Sequence, residues 1–173
     1  MKILIIGSCR NNDLESKIEK DKKLAEEIGR ELAKRSHEIT TGGAGGLQGV
    51  LVASYKKGNG KKWTVYLAKN EERDENAKPK EHIKPDEEVK TNLDYAVRDA
   101  SYIEKCDAVI ALSGKSLTLA EIIHAVKNYH KRVFQLNIGD NTKIIPLLEE
   151  LRGSVLITSN IQEGLNYLEK ENE

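Results

Sequence analysis

Four glycines crowd into the five residues Gly42-Gly43-Ala44-Gly45-Gly46. A glycine-rich turn lets the backbone approach an anion closely, and a helix that follows it presents N–H groups and the positive end of its dipole. An ordinary strand-to-helix connection needs only about one or two special residues. The cluster is therefore read as an anion cradle in preference to a plain tight turn. Two further turns carry similar residues. Gly7-Ser8 follows the apolar run at 2–6, and Ser113-Gly114-Lys115-Ser116 follows the run at 107–112. Taken singly, Gly7 or Gly114 predicts only a tight turn, and Lys115 adds a point charge suited to phosphate.

The familiar nucleotide motifs are absent. A GxGxxG frame built on Gly46 and Gly49 finds Ala44 in its first position, and a P-loop ending at Gly114-Lys115-Ser116 would need its first glycine at Val109. No GxSxG, HExxH or CxxC occurs, and the four histidines are scattered. Glu121 and His124 have the i, i+3 spacing of a carboxylate-histidine metal motif, but no second copy completes one, and His124 is read as a helix residue. No metal and no resident cofactor are expected. The two cysteines, Cys9 in a turn and Cys106 at a helix end, are too few for a disulfide scaffold and are read as reduced thiols.

Strands and helices must bring these turns together. Residues 2–6 read as a buried parallel strand. From Asp13, a candidate N-cap, apolar positions Leu14, Ile18, Ala25, Ile28 and Leu32 form one stripe of a long charged helix. A second strand spans 38–41, and a helix ended by Gly58 follows the glycine cluster. The third strand covers 63–68. Residues 69–91, dense in charge and with two prolines, read as a surface loop, or alternatively as a lid. A helix from Asn92 to Cys106, a fourth strand at 107–114, a helix at 116–130 and a fifth strand at 132–137 come next. A helix near 142–152, a strand at 155–158 and a helix from Asn160 complete the chain. Six strands alternating with helices predict an α/β fold of Rossmann type. The expectation is a single domain, 1–173, with a doubly wound parallel sheet of order 3-2-1-4-5-6. Ligands then bind where the order reverses, between strands 1 and 4, and all three turns fall on that edge.

Composition limits the partners. Charged residues make up 32% of the chain, against about 25% in an average globular protein, so the surface is strongly ionic. Lys plus Arg and Asp plus Glu balance at 28 each, which supplies no net field toward nucleic acid or an acidic membrane. An aromatic content of 5% also disfavours single-stranded DNA binding. The start MKILIIGS lacks the features of a secretory signal, and no run approaches a membrane span, so a soluble cytoplasmic protein is expected.

The order and spacing of these segments resemble the LOG family, often labelled lysine-decarboxylase-like, within a wider superfamily of Rossmann-type nucleotide-binding proteins. Gly7-Ser8 resembles its first-strand turn, and Gly29-Arg30-Glu31-Leu32-Ala33 the end of its first helix. Gly42 to Gly49 is similar to its GGGxxGLMG turn, with Thr41 for the first Gly and Gln48 for Met. Arg98 falls at the arginine of its MxxRK motif, with Tyr95 for the Met and Asp99 for the Lys. Ser113 to Glu121 occupies the place of PGGxGTxxE, with Ser113, Lys115 and Leu117 as departures and Gly114, Thr118 and Glu121 retained. The resemblance implies a homodimer that binds a nucleotide, and family members with intact motifs are phosphoribohydrolases that release a base from a nucleoside 5′-monophosphate. It marks Glu121 as the carboxylate that stabilises positive charge on the ribose or orients water, Arg98 as its catalytic companion that holds the phosphate or that carboxylate, and Thr118 as a phosphate contact. Spacing alone makes Glu121 a first-turn dipole partner and Arg98 a surface salt-bridge residue. The degenerate loop at 113–118 makes a nucleotide-binding module without turnover, a sensor or part of an assembly, the alternative.

Overall fold

The computed structural model describes residues 1–7, 19–43, 45–69, 83–114, 116–138 and 144–170. The parallel strands are β1 (Lys2–Ile6), β2 (Glu38–Thr41), β3 (Lys62–Leu67), β4 (Glu87–Lys90), β5 (Ala108–Ala111), β6 (Arg132–Leu136) and β7 (Val155–Thr158). They pair in the order β4-β3-β2-β1-β5-β6-β7. The helices are α1 (Glu19–Lys34), α2 (Gly46–Lys57), α3 (Tyr95–Glu104), α4 (Ser116–Tyr129), α5 (Ile145–Leu148, continued by a 3-10 turn at Glu149–Leu151) and α6 (Ile161–Glu169).

Alternation along the strands divides the core into two layers. Ile3, Ile5, Ile39, Val65, Ile110 and Phe134 face α1, α2 and α6, whose stripes include Ile28, Leu32, Leu51 and Leu165. Leu4, Ile6, Val109, Ala111 and Val133 face the other way, against Tyr102 and Ile103 of α3 and Ile122 and Ala125 of α4. Both faces are covered, which is why the central strands read as unbroken apolar runs.

The expected order survives as β3-β2-β1-β5-β6-β7, with one strand added. Residues 87–90, expected within a loop, pair with β3 in the register Thr64↔Glu87 to Leu67↔Lys90. Asp86 fixes that start: one carboxylate oxygen accepts from the Trp63 backbone N–H at 2.8 Å and the other from Lys56 Nζ at 2.6 Å. An exposed edge strand needs no apolar face, so Glu-Glu-Val-Lys gave no strand pattern. Two helices are also shorter than expected, one starting at Tyr95 and the other confined to 145–151. The Asp13 cap and residues 70–82 lie outside the described residues. None of the described helices is long and apolar enough to cross a membrane.

Candidate functional site

The order reverses between β1 and β5, because the chain leaves β1 for β2 on one side and reaches β5 on the other. Gly7, at the end of β1, has φ +110°, and a Cβ there would collide with the carbonyl oxygen of Ser113. Only glycine permits this approach, so the turns after β1 and β5 touch backbone to backbone. The turn after β2 joins them through Gln48, in the first turn of α2, whose Nε2 donates to the Gly7 carbonyl at 3.1 Å.

The expected ligand-binding residues share this edge. Gly42 and Gly43 continue from β2, Gly45 is the N-cap of α2, and Gly46 opens that helix with φ +56°. Ser113 is buried, Gly114 follows it, and Ser116 begins α4. A Cβ on Gly114 would strike Thr118 Oγ1, so the loop folds tightly onto the first turn of α4. Ser8, Ala44 and Lys115 lie outside the described residues.

Arg98 and Glu121 are both buried. Arg98 Nη1 donates to the carbonyls of Gly42 and Tyr66, each at 2.8 Å, tying the glycine turn to the end of β3. Its Nε lies 2.8 Å from Asp99 Oδ1, so the acidic residue at the resembled motif's lysine position balances the guanidinium charge. The guanidinium carbon sits 4.9 Å from the centre of the Tyr102 ring. Tyr102 OH in turn donates to Glu121 Oε1 at 2.5 Å. Burial, then the Glu121 charge, holds the Tyr102 hydroxyl well above the usual phenol range, so it remains a donor.

Arg98 thus anchors the turn from below, and Tyr102 connects it to Glu121. Sequence reasoning missed Tyr102 and treated Gln48 only as a departure from Met. Tyr102 stands at i+4 from Arg98 on the same helix face, and Gln48 is a polar residue on the buried side of α2. His124 Nδ1 lies 2.6 Å from the Asn128 amide. Among the described residues no three His, Cys, Asp or Glu side chains gather as a metal site. Cys106 is buried, which pushes its thiol up to about 11.

No curated protein matches the sequence. Among solved structures, the chain is similar to the molybdenum cofactor binding protein from the phototrophic bacterium Rippkaea orientalis, at 23% identity and TM-score 0.73 over 95% of this chain and 93% of that one. It is similar to the molybdenum cofactor carrier protein from Chlamydomonas reinhardtii, at 20% identity and TM-score 0.73 over 96% of each chain. DNA processing protein A from Helicobacter pylori is similar at 22% identity and TM-score 0.64, over 97% of this chain and 80% of that one. At these identities the likeness speaks for the fold. The sequence itself carries the assignment, since the model of one family spans residues 1–165 and so takes in all three turns, Arg98 and Glu121. This chain belongs to the SLOG cluster4 family, in the SMF/DprA-LOG superfamily.

Proposed function

We propose that this protein binds a phosphorylated small molecule of the nucleotide class in the crevice between β1 and β5. The observation that carries the proposal is the meeting of three glycine-bearing turns at the switch point, fixed by the Gly7–Ser113 contact and the Gln48 bond. The α2 N-terminus supplies dipole and backbone donors for the anionic group. Two similar structures are of proteins that bind or carry the molybdenum cofactor, which supports a binding role and places that compound in the same test.

Hydrolysis of the N-glycosidic bond is a second reading, favoured by one observation: Glu121 is a buried carboxylate held by Tyr102. A fixed carboxylate beneath a ribose stabilises its oxocarbenium-like transition state. The binding reading stands first, because Arg98 is engaged with two backbone carbonyls and the loop at Gly114 is closed over Thr118.

Calorimetry with a panel of nucleoside 5′-monophosphates, the parent nucleosides and the molybdenum cofactor tests the first reading, and base release tests the second. Binding of a nucleotide that weakens strongly without its phosphate supports the proposal. Release of base that falls about 10²-fold or more in Glu121→Gln, with binding retained, supports the enzyme. Binding without release leaves the module, and no binding by any nucleotide removes both. Self-association as a cytoplasmic homodimer belongs to the same proposal. Val97 of α3 and Leu117 and Ile123 of α4 are 55%, 61% and 42% exposed, large apolar side chains open to solvent on two neighbouring helices of a strongly charged protein.

A further inference from the structure

Gln48 is only 4% exposed, and its amide faces the turn after β1. The Gly7 carbonyl accepts and cannot donate, so the atom 3.1 Å from it is Nε2. Turning the amide round would set two oxygens against each other. Oε1 is therefore fixed as an acceptor, and it has no partner among the described residues. Ser113 Oγ is 1% exposed and also without a partner among them. The two orphans flank one glycine: Gln48 bonds its carbonyl, and the Ser113 backbone lies where a Gly7 Cβ would be.

Folded proteins pair the great majority of their buried polar atoms, so two atoms at the switch point without a partner among the described residues are suited to receive one from a bound molecule. An ionised phosphate cannot serve Oε1, since both are acceptors. The motif this chain resembles has methionine at position 48, an apolar side chain of similar length, so the acceptor is a particular property of this sequence.

We infer that Gln48 and Ser113 form a specificity pair that reads a hydrogen-bond donor, an O–H or N–H of the bound molecule, with Gln48 Oε1 as the obligate acceptor. The inference rests on the ligand site proposed above. A sugar hydroxyl and an amino-bearing ring both supply such a donor, and the experiment separates them.

The full chain is titrated with the tightest-binding nucleoside 5′-monophosphate of the panel, and with its 2′-deoxy, 3′-deoxy and amino-lacking analogues. In the native sequence one of these deletions weakens binding about tenfold, the size of one hydrogen bond to a buried acceptor. The identity of that analogue shows whether sugar or base is read. In Gln48→Met the parent falls to the level of the analogue, and their affinities differ by less than about twofold. A residue that only supports the fold lowers both affinities together and leaves their ratio standing. An unchanged ratio in Gln48→Met, or a native chain indifferent to every deletion, overturns the inference while the ligand site stands. Absence of binding by every nucleotide overturns both. Should Gln48→Met fail to fold, Ser113→Ala decides the matter. Loss of an unpartnered buried hydroxyl leaves the thermal midpoint equal or higher, while nucleotide binding weakens about threefold or more. A Ser113→Ala protein that binds as tightly as the native chain overturns the pair.

Discussion

Replacing Tyr102 by Phe isolates the link between Arg98 and Glu121. The ring stays, with its edge-on contact to Tyr66 at 6.2 Å and its place beneath the Arg98 guanidinium at 4.9 Å. Only the hydroxyl is lost, together with its 2.5 Å bond to Glu121 Oε1. Hydrogen bonds to a charged group contribute about 1.5–3 kcal/mol, and both partners are buried, so solvent replaces little of the loss. The expected destabilisation is about 2 kcal/mol, or a fall of roughly 4–8 °C in thermal midpoint for a chain of this size. Trp63 is the single tryptophan and is fully buried, which makes intrinsic fluorescence in urea a direct probe of unfolding. A double-mutant cycle with Glu121→Gln should return a coupling of about 1–2 kcal/mol. A Tyr102→Phe loss below about 0.5 kcal/mol, or additivity in the cycle, would refute the claim that this bond holds the carboxylate.

Gly7→Ala places a Cβ on the Ser113 carbonyl at φ +110°, and urea unfolding should report a loss of about 3 kcal/mol or more, with nucleotide binding abolished. A Gly7→Ala protein of native stability would show that the two turns do not touch. Glu169 titrates in a clamp at the opposite edge, where its carboxylate receives Arg35 Nη1 at 2.7 Å and His37 Nε2 at 2.6 Å. Burial pushes this carboxyl up, but those hydrogen bonds and charges outweigh it, and the net position is below the ordinary 4.5. Its stabilisation is therefore present above about pH 4.5 and lost as pH falls below that. The contribution is on the order of 1 kcal/mol after screening of a one-third exposed group. Urea midpoints between pH 3 and 7 should show this acid loss reduced in Glu169→Gln, and an identical acid limb would refute it. Leu117→Glu with Ile123→Glu should shift sedimentation from dimer to monomer, and an unchanged sedimentation coefficient would exclude these side chains from the interface.

The strand order and the convergence of Gly7, Gly42, Gly43, Gly45 and Gly46 with Ser113, Gly114 and Ser116 were legible because buried parallel strands are apolar runs and glycines punctuate their ends. Strand β4 was not, since Glu87, Glu88 and Lys90 are exposed and a single half-buried Val89 leaves no apolar run to read in Glu-Glu-Val-Lys. Arg98 and Glu121 were found through resemblance, and their local sequence is also that of ordinary surface helices. Their burial comes from packing α3 against α4, a tertiary fact that periodicity does not encode. Tyr102 escaped for the same reason, because an aromatic on a core-facing stripe reads as packing until its hydroxyl is seen on a carboxylate. Gln48 was visible only as a substitution in a motif. Its significance depends on which amide atom meets Gly7.

The sheet order also sets the sequence of events during synthesis. β1 precedes every other described strand in the chain yet lies in the middle of the sheet, with β2 on one edge and β5 on the other. Ribosomes add about 5–20 residues per second, so β2 and β3 are available to cover one edge of β1 several seconds before residues 108–111 arrive for the second. During that interval the nascent chain displays an open edge of Ile-Leu-Ile-Ile, a template for unwanted pairing between neighbouring chains. Fragments that stop before Ala108 should consequently aggregate, and slowing synthesis through the segment between β3 and β5 should lower the yield of native protein.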